Sequence, residues 1–259
     1  MIHHNSPVRF NKAVQLEKQG RYDEALNEYT ALLRSDPDFR SAYVNLGSLY
    51  SRLNKLSEAM KCYHAALSLG QDFITHFNIG CIHYKIGENS QALSHLMRSS
   101  EMNDSFFLSL LVSGLCHSRL NDLGRAEKSF LRVLAHRPDN RVALTAMAII
   151  YYNTARFIQA LKLLNTILTL DDENIALREL KSDILLKSGR IDESAEVVKE
   201  ISKRADGYKY FEEFIKSIPI ETFSDRYGTI EDKIDSLQEK RHEDARSLVA
   251  LSLCHLLKG

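Results

Sequence analysis

Small residues punctuate this chain at a fixed interval. Ala13, Gly47, Gly80, Gly114, Ala148 and Ser182 lie 33 or 34 residues apart. A second set, Ala25, Ala59, Ala92, Ala126, Ala160 and Ser194, follows twelve residues behind. Tyr29, Tyr63 and Phe130 then come four residues after three of these alanines. Between the two sets sit Gly20, Asn54, Gly87, Asn121, Ala155 and Gly189. A fixed period of this length is the mark of a repeat architecture.

The register divides the chain into units 6–39, 40–72, 73–106, 107–140, 141–174 and 175–208. Each unit is predicted to be two antiparallel helices. Small residues at positions eight and twenty let the backbones approach, and a bulky residue near position twenty-four fills the space beside them. Glycine or asparagine at position fifteen ends the first helix, because both tolerate a left-handed backbone. Pro37 and Pro138 stop second helices, since proline cannot continue one. Strands need frequent punctuation, and 4 prolines and 11 glycines do not supply it. One hairpin cannot bury its apolar face alone, so neighbouring hairpins must stack.

This pattern resembles the tetratricopeptide repeat over roughly four-fifths of the chain. Two departures stand out. Position four, often tryptophan in that family, reads Arg9, Tyr43, His76, Leu110, Leu144 and Arg178, and Lys181 is polar where the family is apolar. The resemblance implies an all-α fold, a right-handed α-solenoid of about six helix-turn-helix repeats with further helices at the C-terminal end. It also implies a concave groove that binds another polypeptide.

Residues 209–242 leave the register. Phe211 to Lys216 reads as a short helix broken by Ser217-Ile218-Pro219. Ile230 to Lys240 reads as an amphipathic helix with Ile230, Ile234 and Leu237 on one face. The segment is expected to be a degenerate helical repeat. Residues 243–259 return to the pattern: Ser247 to His255 echoes Ser109 to His117, a first helix. Leu248, Val249, Leu251, Leu253, Leu256 and Leu257 ring that terminal helix, whereas a solenoid cap is normally polar outside. It is expected either to mediate self-association or to mark a fragment of a longer protein.

Composition narrows the function. Lys+Arg and Asp+Glu balance at 34 each, so the basic excess of a nucleic-acid binder is missing. No apolar run of about 18 residues offers membrane insertion. Met1 to Pro7 does not read as a signal peptide. Cys62, Cys81, Cys116 and Cys254 show no metal or redox spacing and read as small hydrophobes, which favours a reducing cytoplasm. His83, His117 and His255 share position eleven and are expected to pack between helices. No histidine pair four apart with an adjacent acid suggests a metal, and no phosphate loop or nucleophile elbow appears. Neither a catalytic site nor a cofactor is expected.

The candidate site follows from the repeat positions. In this family position six of the first helix faces the groove, and here it reads Asn11, Asn45 and Asn78, then Val112, Ala146 and Leu180. An amide side chain offers both a donor and an acceptor, which matches a peptide bond whatever its side chain. Some members of the family grip a peptide main chain with such a ladder. The same asparagines also fit an ordinary polar surface. Position thirteen reads Lys18, Arg52, Lys85, Arg119, Asn153 and Lys187. That basic lane either meets an acidic ligand, through Arg52, Lys85 and Arg119 above all, or is simply solvated. Phe77, Tyr84, Leu108, Leu111, Leu115, Ile149 and Tyr152 could grip a helix or belong to the core between repeats. The family's clamp for a C-terminal carboxylate is not matched: its positions hold Phe10, Val14, Ile74 and Asn78, and only Asn45 agrees.

The expected function is a non-catalytic protein–protein scaffold that binds a peptide or helix of a partner and assembles a complex. The alternative is the repeat region of a larger, glycosyltransferase-like enzyme whose catalytic domain lies beyond residue 259.

Overall fold

The computed structural model describes residues 6–170 and 174–204. All twelve regular elements among them are α-helices: α1 (Ser6–Lys18), α2 (Tyr22–Ser35), α3 (Arg40–Arg52), α4 (Leu56–Leu69), α5 (Phe73–Lys85), α6 (Asn89–Met102), α7 (Phe107–Arg119), α8 (Leu123–His136), α9 (Arg141–Asn153), α10 (Phe157–Leu170), α11 (Ile175–Lys187) and α12 (Ile191–Arg204). No strand occurs among the described residues, and the all-α repeat fold expected from the register is what forms. The chain divides after Pro138 into two compact units, the first carrying α1–α8 and the second α9–α12. The degenerate repeat expected over 209–242, the terminal helix expected over 243–259, and Cys254 and His255 with it, lie outside the described residues.

Every hairpin turns in the same way. The residue at position fifteen has positive φ in all six: Gly20 75°, Asn54 60°, Gly87 89°, Asn121 58°, Ala155 55° and Gly189 75°. Around it two backbone bonds close the helix end, as in Gly20 N–H to Glu17 O at 3.0 Å and Arg21 N–H to Leu16 O at 2.9 Å. The same pair recurs at Asn54, Gly87, Asn121, Ala155 and Gly189. This is the Schellman closure, which satisfies the last helical carbonyls only if the pivot residue is left-handed. Asn tolerates that conformation and Gly takes it freely. Ala155 has neither advantage.

The hairpins close on the small residues. Ala25, Ala59, Ala92, Ala126 and Ala160 are fully buried, and Ser194 nearly so. A Cβ built on Gly47 would stand 2.7 Å from Tyr63 Cε1, on Gly80 2.8 Å from Leu96 Cγ, and on Gly114 2.6 Å from Phe130 Cε1. The bulky partners Tyr29, Tyr63, Leu96, Phe130 and Leu164 are among the largest fully buried side chains. α2 ends two residues before Pro37 and α8 two before Pro138. At the other ends, Asp72, Asp122, Asn140 and Asn174 each accept the N–H three residues on, satisfying an otherwise orphaned helix donor.

In the first unit each helix packs on the next in sequence, and α5 also touches α3 and α7. First helices therefore meet first helices. That brings positions six and thirteen of successive hairpins onto neighbouring elements.

Candidate peptide-binding surface

All six sequence-chosen residues lie in the first unit, on α1, α3, α5 and α7. Asn45 is half-buried, and its Nδ2 donates to Tyr29 Oη at 3.2 Å. The Tyr29 ring is fully buried, its hydroxyl donates to Glu17 Oε2 at 3.3 Å, and burial pushes the phenol up to about 12. The hydroxyl is therefore a fixed neutral donor to Glu17 and acceptor for Asn45. Asn45 keeps its carbonyl oxygen and one N–H uncommitted. Asn78 is half-buried and makes no hydrogen bond within the described residues, so its whole amide is open. Asn11 is exposed on α1.

The basic residues do more than face solvent. Arg52 Nη1 donates to Glu17 Oε1 at 2.9 Å and Nη2 to Tyr22 Oη at 2.9 Å, both on the preceding hairpin. Lys85 Nζ donates at 2.8 Å to Oδ1 of Asn54, the left-handed pivot of the preceding turn. Arg119 Nη1 donates at 2.7 Å to the Tyr84 carbonyl near the C-terminus of α5, and its guanidinium lies 3.7 Å from the Tyr84 ring centroid. In the second unit Lys187 donates to the Tyr152 hydroxyl. Position thirteen thus stitches each of these hairpins to the one before it. Glu17 neutralises Arg52, whereas Lys85 and Arg119 donate to neutral oxygens and keep their charge uncompensated.

A cleft of about 560 Å³ opens between the first two hairpins, walled by Val14, Glu17, Tyr22, Asn45, Ser48 and Arg52. It joins one asparagine of the ladder, Asn45, to two bases of the lane, Lys18 and Arg52. Glu17, Tyr22 and Tyr29 were absent from the sequence-chosen set. The signal for Glu17 and Tyr22 was available as partners 30 to 35 residues before a position-thirteen base.

Of the apolar candidates, Phe77 and Tyr84 pack against the Ala92, Leu96 and Cys116 core, and Phe77 meets Phe106 edge-on at 5.0 Å. Tyr152 donates to Asp183. These side chains belong to contacts between helices. Ile149 remains exposed. Cys62, Cys81 and Cys116 are free thiols, and burial pushes them up to about 11, 12 and 11. Among the described residues no group of three or more His, Cys, Asp or Glu is arranged to hold a metal, and no helix is long and apolar enough to cross a membrane.

Two tetratricopeptide-repeat family models match the chain, over residues 10–72 and 119–184. Together with six like-turned hairpins, that decides the family. The chain is a tetratricopeptide-repeat protein. Such proteins typically mediate protein–protein interactions and complex assembly. This tetratricopeptide-repeat chain is 25% identical over 207 residues to the human protein O-mannosyl-transferase TMTC3, covering 65% of this chain and 23% of that protein. It spans 23%, 27% and 35% of the lengths of three curated relatives. In structure it resembles YrrB, a tetratricopeptide-repeat protein with an unusual peptide-binding site, with a TM-score of 0.57 at 22% identity over 65% of this chain and 88% of that one. It also resembles pilF of Pseudomonas aeruginosa, with a TM-score of 0.67 at 15% identity over 82% and 97%. At these identities the likeness is one of fold.

Proposed function

We propose that this tetratricopeptide-repeat chain is a non-catalytic scaffold that holds a peptide or helix of a partner along the first helices of its first unit. Asn45 and Asn78, with Asn11 at the end, meet the ligand main chain. Lys85 and Arg119 meet its acidic side chains, while Arg52 acts mainly by holding Glu17 and Tyr22 in the cleft wall. The observation that carries this reading is Asn78. It is a half-buried amide with no partner among the described residues, one hairpin along from Asn45, which keeps half its own amide uncommitted there. Both amides keep donor and acceptor groups within reach of a ligand, and a peptide bond would satisfy both. The free thiols of Cys62, Cys81 and Cys116 fit a reducing compartment, and a cytoplasmic location is part of the same proposal.

The test begins by capturing partners with the intact chain and identifying them by mass spectrometry. The captured partner is then titrated against wild type, Asn78→Ala and Asn45→Ala/Asn78→Ala. Losing one amide contact should cost about 1–3 kcal/mol, so the double variant should bind tenfold or more weakly. Equal affinity in a folded variant would place the partner on another face.

A second reading draws on one observation. TMTC3 bears a transferase name, and this chain covers 23% of it. Here the repeats would be the scaffold of a larger glycosyltransferase-like enzyme. Transferase assays on the full natural gene product decide between the two.

A further inference from the structure

The third hairpin contains a cluster that the binding surface does not use. His76 on α5 is buried, and its Nδ1 lies 3.1 Å from His95 Nδ1 on α6. Its Nε2 lies 2.7 Å from Gln71 Oε1, and Gln71 Nε2 donates to Leu67 O at 3.0 Å. The amide's orientation is fixed by its bond to Leu67, so Oε1 must accept and His76 Nε2 must carry a proton. In the neutral ring, His76 Nδ1 is then an acceptor, and His95 Nδ1–H is the donor. The result is a directed chain from α6 through α5 and the Gln71 connection to α4. His83 stacks on His95 with centroids 5.7 Å apart, and its Nδ1–H donates to Glu88 Oε2 at 2.6 Å.

The proton count decides what acid does. One added proton can enter at His95 Nε2 and leave the chain intact. A second must enter at His76 Nδ1, where it faces the N–H of His95 across 3.1 Å. Two donors cannot share that gap. The pair is not arranged as a metal site, since no third ligand joins it among the described residues.

We propose that the His76–His95 pair makes the third hairpin an acid-sensitive joint, in which full protonation severs the chain from α6 to α4 and loosens α5 and α6. The surroundings favour release on protonation. Burial lowers His95 to about 4, helped by His76, His83, Arg98 and His64. Burial also lowers His76, with Arg98 in support and Asp72 opposing. Asp72 is itself paired with Arg40 of α3. α7 meets the hairpin through Ser109, bonded to Ser99, and through Cys116, whose thiol stays neutral in acid. Because the folded rings bind protons less readily than unfolded ones, the unfolded state takes up more protons between the ordinary 6.5 and about 4. Stability is complete above that window and falls as pH drops through it.

Native-state amide exchange of the full chain at about pH 7.5 and pH 5, corrected for intrinsic rates, tests the joint. Protection over residues 73–102 should fall about tenfold more than over α1 and α2. In His76→Gln/His95→Gln, which keeps polar groups without titration, that excess should vanish. An equal loss in both hairpins, or an excess unchanged in the variant, would overturn the proposal. Should the variant not fold, proton resonances of the wild-type rings serve instead. Both should titrate below the ordinary 6.5, and titration of either ring at or above 6.5 would overturn the proposal equally.

Discussion

The fourth and fifth hairpins solve one packing problem with different residues. In α7–α8 the crossing residue is Gly114, and a Cβ there would meet Phe130 at 2.6 Å. In α9–α10 the same position is Ala148, fully buried beside Leu164. An aromatic partner takes the space that a methyl group fills in the other. Size trading is not the whole rule, because Ala13 coexists with Tyr29, and Gly80 is needed against Leu96. The sixth hairpin is different again: Ser182 and Ser194 share a hydrogen bond of 2.8 Å, and Ser194 also donates to the Ser182 carbonyl at 3.1 Å. The repeat position therefore specifies a volume and a close helix approach, which several chemistries fill.

The largest expected effect breaks that crossing. Gly114→Leu should destabilise by about 3 kcal/mol or more, since even its first carbon overlaps the Phe130 ring. Ala148→Gly in the fifth hairpin should cost about 2 kcal/mol, the helix penalty of glycine plus the loss of one buried methyl. Urea denaturation of both variants reads the difference. Equal losses would mean that the two crossings are packed alike.

A smaller effect comes from the turns of the same two hairpins. Asn121 and Ala155 hold the same left-handed pivot at φ 58° and 55°. Alanine has no glycine freedom and no amide to compensate. Ala155→Gly should gain about 1 kcal/mol, while Asn121→Ala should lose about as much. The melting temperatures should move in opposite directions. If Ala155→Gly melts lower, the turn is not strained.

These contrasts show what was legible in the sequence. The crossing and pivot positions were readable because one residue type answers one local demand at a fixed spacing. The role of Arg52, Lys85 and Arg119 was not, because their contacts lie 30 to 35 residues back and exist only once hairpins stack. The histidine pair escaped for a related reason. A metal-like histidine pair on one helix is spaced four residues apart, whereas His76 and His95 meet across a hairpin, 19 residues apart. Asn45 and Asn78 were found by position, but only the structure separates the partly committed amide from the open one.

Thiol chemistry should leave the fold untouched. Cys62, Cys81 and Cys116 are free, and burial pushes all three to about 11 or above. At neutral pH they hold almost no thiolate, the reactive form. Melting with and without reductant should agree, and a thiol reagent should label Cys62 and Cys116 only on unfolding. Rapid labelling of Cys62 or Cys116 in the native chain would contradict their burial.

The smallest expected effect concerns position thirteen, where the fourth hairpin has Arg119 and the fifth has Asn153. Arg119 pairs with no carboxylate among the described residues. It donates to the Tyr84 carbonyl, which also accepts Gly87 N–H at 3.2 Å at the end of α5, and it covers the Tyr84 ring. A cation at a helix C-terminus and over an aromatic face is worth about 0.5–1 kcal/mol in total when exposed. Arg52 instead pairs with Glu17, and more than half of its side chain is open to water. An exposed ion pair of that kind is worth about 0.2–1 kcal/mol and is screened by salt. Arg119→Ala and Arg52→Ala should therefore cost similar small amounts at low salt. At about 1 M salt the Arg52→Ala loss should shrink, because screening already weakens the wild-type pair. The Arg119→Ala loss should shrink less: both bases donate to a neutral oxygen and cover a tyrosine ring, but Arg52 also has a carboxylate partner for salt to screen. A double comparison of denaturation midpoints at both salt concentrations reads this directly. Parallel losses would show that both bases act by charge alone, and the distinction between stitching through an acid and stitching through a helix end would fall.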